Sequence, residues 1–219
     1  MVTRIERRLE KINWDALRSA GLSDSIYVGG GAFLKNWNDI DIYPTLRGQF
    51  ECLCFNDNFH RIIAETPNAI TVEDIGSGIV LQFCNYYHPS LISLVNSFDY
   101  AHCQIGALIN TAGRVISDIY HTSDFTAAMT QEGTWYTGSA YPLSSLFRAF
   151  KYHNRGRLVG RKLTLTIVNT IIDITKRGFT DWKDFKDQLD AVDLGLLPED
   201  YDNCGDTLKR LYDLLQKKQ

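Results

Sequence analysis

Two aspartates at alternate positions of an apolar segment are the residues whose types and spacing best suit catalysis. Asp39 and Asp41 stand in the sequence DIDIY. Because side chains two positions apart on a strand point to the same face, both carboxylates project together, while Ile40 and Ile42 point to the opposite face. Two adjacent carboxylates repel each other unless a positive charge lies between them. The pair therefore predicts a site for Mg²⁺ or Mn²⁺, with substrate phosphates as further ligands.

A glycine run before the aspartates predicts a place where phosphate groups can approach the backbone. Apolar residues 26–28 lead into Gly29, Gly30 and a third glycine. Without side chains, Gly29 and Gly30 allow close contact with a nucleoside triphosphate, and a short helix behind them would offer its N–H groups. Lys35, in the connection to the aspartates, is a candidate to offset phosphate charge. Each feature alone is more often a turn or a solvated strand end, so the prediction depends on their occurring together.

The segment 26–43 resembles the nucleotidyltransferase superfamily, the group with the DNA polymerase β-like palm. The family pattern of apolar strand, Gly-Gly, short helix and Asp-apolar-Asp is matched by Val-Gly-Gly at residues 28–30 and Asp-Ile-Asp at residues 39–41. Phage-type nucleotidyltransferase-like proteins are the nearest in pattern. The resemblance implies transfer of a nucleoside monophosphate from a triphosphate such as ATP to a hydroxyl acceptor, with release of pyrophosphate.

A third acid on a neighbouring strand would complete a two-metal site. The sequence SFDYAHCQIGAL resembles the corresponding strand of phage-type members, and this resemblance implies Asp99 as the third metal ligand. The predicted strand covers residues 100–109 and follows a helix that begins at Pro89. Glu73 and Asp74, at the end of another predicted strand, are the first alternatives, and Asp118 is the next. A turn position is the other interpretation of Asp99.

A cluster of basic residues begins at Arg148. Arg148, Lys151 and Arg155 are three and four positions apart, which places them on one face of a helix. Such a face suits a triphosphate or an RNA backbone, and Tyr152 is a candidate for base stacking. The surrounding sequence LFRAFKYHNRG resembles the helix after the palm in phage-type members. The alternative is an ordinary solvated helix face.

Composition limits the class of protein. The chain has 219 residues, of which 44% are hydrophobic. Its net charge of −3 excludes a protein that binds nucleic acid through its overall charge. Its five cysteines include no Cys-x-x-Cys pair, which favours free thiols over a disulfide framework or zinc site. We find no apolar leader or membrane-spanning run, and expect a cytoplasmic protein, in a bacterium or in the host cell of a virus.

The elements that must position these residues fall into two parts. Residues 1–135 alternate strand and helix patterns and predict an α+β fold, a nucleotidyltransferase palm with a mixed sheet flanked by helices. From residue 136 onward most segments have helical period, which predicts a small helical subdomain over 136–219. One amphipathic helix is expected at the N-terminus. The linker near residues 132–140 is rich in Gly, Ser and Thr.

Two questions stay open at the level of sequence. The acceptor hydroxyl belongs to an RNA 3′ end such as that of a tRNA, to a protein, or to a second nucleotide. The alternative to an enzyme is a catalytically inactive palm that binds nucleotide or nucleic acid, or serves as an interaction module. The oligomeric state is not predicted.

Overall fold

The computed structural model describes residues 2–34, 39–112, 115–190, 209–210 and 212–213. The chain forms two compact units. The sheet unit comprises Met1–Phe98 and His102–Ala127, and the helical unit comprises Asp99–Ala101 and Ala128–Gln219. The sequence predicts its boundary after residue 135, whereas the chain leaves the sheet unit after Ala127.

A seven-stranded mixed sheet is the centre of the sheet unit. Its strands follow the order β3-β4-β5-β2-β1-β6-β7, and β2 and β5 are parallel while the other neighbours are antiparallel. The α+β fold class predicted from the sequence is confirmed. The strands are β1 (Ser25–Gly29), β2 (Asp39–Pro44), β3 (His60–Thr66), β4 (Ala69–Asp74), β5 (Ile79–Cys84), β6 (Ile105–Asn110) and β7 (Val115–His121).

The two faces of the sheet differ in composition because apolar residues alternate along the central strands. One face is fully buried and carries Ile26, Val28, Ile40, Val72, Leu81, Ile105, Ala107 and Ile109. On the other face, helix α3 (Leu91–Ser97) packs on β6, where a Cβ at Gly106 would lie 2.9 Å from a methyl group of Val95. Glycine at this position therefore allows α3 to lie close to the sheet.

The N-terminal helix differs from the prediction. It is divided into α1 (Val2–Leu9) and α2 (Trp14–Ser19), and the Asn13 side chain accepts a hydrogen bond from the Ala16 N–H at the start of α2. Asparagine is a preferred N-cap because its side-chain oxygen satisfies one of the unpaired N–H groups of the first turn. A cap of this kind begins a new helix inside a continuous apolar pattern.

The helical unit contains the helices expected from the C-terminal sequence. They are α5 (Pro142–Asn154), α6 (Gly160–Arg177) and α7 (Trp182–Asp190), preceded by α4 (Ser123–Thr130), which was not predicted. Leu143, Phe179, Phe185 and Leu189 form its buried core. The predicted C-terminal helix lies mostly outside the described residues. No helix in the described part of the chain is long and apolar enough to cross a membrane.

Candidate active site

The two aspartates of β2 lie together on one face of the sheet. Asp39 and Asp41 are half-buried, whereas Ile40 and Ile42 are at most 1% exposed on the opposite face. This is the alternation that the sequence predicts. Strand β2 is at the middle of the sheet, with β5 on one side and β1 on the other. Both carboxylates are therefore held on rigid, hydrogen-bonded backbone rather than on a loop.

The glycines that end β1 lie directly beside the acids. Gly29 is paired with Asp41 in the β1–β2 register, and a Cβ at Gly29 would lie only 2.6 Å from the Phe98 ring. Gly30 has a φ of +62°, a conformation that side chains rarely adopt, and its missing Cβ would lie 3.8 Å from Asp41 Oδ2. Both positions thus require glycine for the fold, and they also place the Gly30 backbone next to a catalytic carboxylate candidate.

The segment after the glycines is not the predicted helix. Gly30–Phe33 form a single 3₁₀ turn, in which the Leu34 N–H donates to the Gly31 carbonyl at 2.8 Å. One such turn lacks the aligned N–H groups of an α-helix start, so the expected contribution of a helix N-terminus to phosphate binding is wrong for these residues. The remainder of the connection, including Lys35, lies outside the described residues.

Strand β5, which is paired with β2, also places side chains on the acid face. Gln82 is paired with Asp41 in the parallel β2–β5 register, and its Nε2 donates to Thr71 Oγ1 on β4 at 3.3 Å. Cys84, two residues further along β5, has a thiol pKa that is raised well above its usual value, first by burial and then by the charges of Asp41 and Asp39. A thiol with a raised pKa stays protonated and is a poor nucleophile.

The alternative third acids are held away from this site or by other partners. Asp74 is 1% exposed and lies on the buried side of β4, where Ser77 donates a hydrogen bond to it. Glu73 is on the acid face but forms an ion pair with Arg61. Asp118 is on β7, three strands from β2. Asp74 and Asp118 are therefore wrong as alternatives, and the Glu73 carboxylate is already paired with Arg61.

Asp99 belongs to the helical unit and makes its described contacts there. It is 5% exposed, its Oδ2 accepts a hydrogen bond from Ser145 Oγ at 2.6 Å, and Arg148 Nε lies 3.3 Å away. The Arg148 contact is a charge pair without hydrogen-bond geometry. The predicted strand after Asp99 is wrong at its start, because a 3₁₀ turn at Ala101–Cys103 precedes β6. Metal binding by Asp99 stays a prediction.

The basic residues of the helical unit are distributed as the spacing predicts, along α5 and its C-cap. Arg148 and Lys151 are half-buried, and Arg155 is exposed at the end of the helix. Tyr152 was a candidate for base stacking, but it is 4% exposed and its ring packs edge-to-face on Tyr100, with 4.6 Å between centroids. That prediction is wrong, because the apolar face of α5 includes the aromatic ring.

A cavity in the helical unit provides a different kind of site. Its volume is about 660 Å³, and its lining includes charged residues of α6 and α7. Arg177 binds Asp184 through two hydrogen bonds, at 2.8 and 2.9 Å, and Lys183 donates to Asp187 at 2.6 Å. Arg177, Asp184 and Asp187 of this lining are thus already paired. The carboxylates of β2 therefore remain the better candidates for chemistry.

Sequence comparison does not identify a family, and structural comparison returns weak similarities. No protein-family model matches the chain, and no curated protein is detectably similar in sequence. The CCA-adding enzyme of Thermotoga maritima, complexed with tRNA, is 11% identical over 86% of this chain and 47% of its own, with a TM-score of 0.46. A tRNA nucleotidyltransferase complexed with a primer tRNA and an incoming ATP analogue is 12% identical, covers 93% of this chain and 60% of its own, and has a TM-score of 0.47.

A tRNA-processing enzyme with CTP is similar to the same degree. It is 13% identical over 75% of this chain and 47% of its own, with a TM-score of 0.47. This chain thus spans about half to three fifths of the length of these structures. At such identities and TM-scores the comparisons establish neither the activity nor the substrate of this protein.

Proposed function

We propose that the protein is a metal-dependent nucleotidyltransferase, which transfers a nucleoside monophosphate from a nucleoside triphosphate to a hydroxyl acceptor and releases pyrophosphate. One observation carries the proposal. Asp39 and Asp41 share a half-buried face of a central strand, and the Gly29–Gly30 backbone lies beside Asp41. Paired carboxylates beside a glycine turn suit a nucleotide that binds together with a divalent cation through its phosphates.

The side chains present fit a divalent cation that arrives with its nucleotide. Within the described residues, no group of three or more His, Cys, Asp or Glu side chains is arranged to hold a metal ion. Mg²⁺ typically takes one or two carboxylates and completes its coordination with water and substrate phosphates. Asp39 and Asp41 meet that requirement. A cation bound there supplies neutralisation of phosphate charge and lowers the pKa of the acceptor hydroxyl.

The reaction needs positioning and charge from the chain. The acceptor oxygen forms a bond to the α-phosphorus while the bond to the bridging oxygen of pyrophosphate breaks, and the hydroxyl proton passes to solvent. Gly29 and Gly30, although buried in this structure, are the proposed backbone contacts of the β- and γ-phosphates. Lys35, between the glycines and the acids in the sequence, is the proposed cation that offsets charge on the leaving pyrophosphate.

Incubation with α-labelled nucleoside triphosphates tests the proposal. Each of the four nucleotides is combined with a mixed tRNA preparation, with the protein alone, or with a second nucleotide, so that the labelled product identifies the acceptor. We expect pyrophosphate release from the wild type and its loss in Asp39→Ala. Glu65→Ala, an exposed acid on β3, is the matched control. Absence of release with every acceptor would contradict the proposal.

A binding module on the same fold is the second candidate. It is favoured by the pairing of Asp99 with Arg148 and by the neutral Gln82 beside Asp41, since both leave fewer carboxylates for a second metal. Such a protein would bind a non-hydrolysable triphosphate and yet release no pyrophosphate from the natural nucleotides. Calorimetry with both ligands separates the two candidates.

A further inference from the structure

Four residues from four adjacent strands lie in one row across the acid face. The strand registers pair Thr71 of β4 with Gln82 of β5, Gln82 with Asp41 of β2, and Asp41 with Gly29 of β1. Neighbouring strands are about 4.8 Å apart, so the side chains of Gln82 and Asp41 are direct neighbours. Gln82, like Asp41, is half-buried. It thus stands where a side chain from the adjacent strand can share a ligand with Asp41.

The amide of Gln82 is oriented by Thr71. Its Nε2 donates to Thr71 Oγ1 at 3.3 Å, on the side of β4. Because the two polar atoms of an amide lie on either side of its carbon, Oε1 is turned away from Thr71. Among the described residues, none donates a hydrogen bond to Oε1. An oriented carbonyl oxygen without a donor, next to a carboxylate, is a suitable ligand for a hard cation.

Two other polar side chains on the acid face, Glu73 and Cys84, are less suitable as metal ligands. Glu73 is paired with Arg61, and the Cys84 sulfur is a soft ligand that suits Mg²⁺ or Mn²⁺ poorly. Of the three, only Gln82 offers an oxygen that has no competing partner in the described part of the chain. Its neutrality matters, because two carboxylates balance one divalent cation, whereas a third carboxylate would leave an excess negative charge.

We propose that Gln82 Oε1 is the third protein ligand of the divalent cation at Asp39 and Asp41. The inference rests on the proposed function insofar as that function places a cation at the acid pair. A neutral third ligand has a specific consequence. The chain holds free metal weakly, and the negative charge of the nucleotide phosphates provides much of the affinity, so metal and nucleotide bind together.

Binding of Mn²⁺ to the folded protein tests this role without any measurement of activity. Free and bound Mn²⁺ are distinguished by electron paramagnetic resonance, with and without a non-hydrolysable triphosphate, for the wild type, Gln82→Leu and Gln82→Glu. We expect Gln82→Leu to weaken binding of the metal–nucleotide complex about tenfold. Gln82→Glu should tighten binding of free Mn²⁺ about tenfold, because the number of charged ligands sets the metal affinity of such sites. Added nucleotide should then increase the Mn²⁺ affinity less than it does in the wild type.

Two further variants keep the test decisive. Thr71→Val removes the hydroxyl that orients the amide while preserving side-chain shape, and we expect a smaller loss of Mn²⁺ affinity than in Gln82→Leu. Melting curves without metal identify any variant that fails to fold, in which case Gln82→Glu and Thr71→Val decide the question. Asp41→Ala serves as the reference for a lost ligand.

The outcomes separate the ligand role from the proposed function. If the wild type binds Mn²⁺ with nucleotide, Asp41→Ala abolishes binding and all Gln82 variants stay within twofold, the inference is overturned and the proposed function stands. If the wild type binds no Mn²⁺ under any condition, both are overturned. If the Gln82 variants behave as expected but no pyrophosphate is released, the ligand role is supported and the catalytic proposal fails.

Discussion

The acids of β2 and the acids of the helical unit have different partners. Asp184 receives two hydrogen bonds from the Arg177 guanidinium, and Asp99 accepts from Ser145 and lies beside Arg148. Asp39 makes no ion pair within the residues that the structure describes, although a second carboxylate, Asp41, stands two positions along the same strand.

The difference separates acids that are ion-paired in the fold from Asp39, which makes no ion pair in the described part of the chain. An acid beside a guanidinium gains charge-assisted hydrogen bonds in the folded state. Two acids on one strand face repel each other, and this cost persists in the folded protein unless a cation is bound. Unfavourable interactions of this kind are typical of functional sites, where charges are arranged at a cost in folding stability.

The largest expected effect is the loss of catalysis when a β2 acid is removed. Asp39→Ala or Asp41→Ala should lower the rate of pyrophosphate release by at least about a hundredfold, because metal-ion charge stabilisation is worth several kcal/mol. Thermal stability should be unchanged or slightly raised, since repulsion is relieved. Release assays and melting curves on the same preparations check both parts. Full activity in either variant would mean that the chemistry lies elsewhere.

The comparison is tested most directly by neutralising one acid in each unit. Asp99→Asn should lower the free energy of unfolding by about 1–3 kcal/mol, because it removes the buried carboxylate that lies beside Arg148. Asp39→Asn, the matched variant, should change it by less than about 0.5 kcal/mol. Urea unfolding measures both. Loss of pyrophosphate release in Asp99→Asn at unchanged stability would instead support Asp99 as the third metal ligand.

A smaller effect is expected at the basic face of α5. Lys151→Glu should raise the dissociation constant for a triphosphate about three- to tenfold at low salt, and the difference should shrink as salt is added, because salt screens the attraction between the side chain and the phosphates. Melting temperature should change little. Lys186→Glu, an exposed lysine on α7, is the control. A lower melting temperature with unchanged binding would assign Lys151 to packing.

The smallest expected effect is the acid sensitivity of the Arg177–Asp184 pair. The pKa of Asp184 is lowered, chiefly by the hydrogen bond from Arg177 and against the effect of burial. The unfolded chain therefore binds a proton at a higher pH than the folded chain does. The stabilisation is complete above the unfolded pKa, near pH 4, and is lost as pH falls through the lower folded pKa. In acid unfolding, the free energy of unfolding of Asp184→Asn should fall less over this pH range than that of the wild type. An unfolding curve identical to that of the wild type would contradict this prediction.

Local patterns predicted much of the fold and the strand face that Asp39 and Asp41 share. The alternation of β2, the strand pair β4–β5 and the helices α5 to α7 were all recognisable, because each buries one face of a regular element. Strand β3 was missed, since Arg61, Ile62 and Ile63 are all exposed at an edge with a bulge, and no alternation marks such a strand.

The remaining errors concern contacts between distant segments. Tyr152 was expected at the surface because it stands among basic residues, yet it packs on Tyr100. Gln82 escaped notice because an isolated glutamine on a strand carries no sequence signal. Only the parallel register of β2 and β5 places it beside Asp41.

By itself, the sequence determined that two carboxylates share one face of a buried strand and follow a glycine turn. Strand period and glycine conformation are local properties, so eighteen consecutive residues were enough to predict them. The tertiary structure decided which residues stand beside those carboxylates and which acids are already paired. Gln82 meets Asp41, and Arg148 meets Asp99, across long separations in the chain. Register and packing set such neighbours, and both arise only when the whole core assembles.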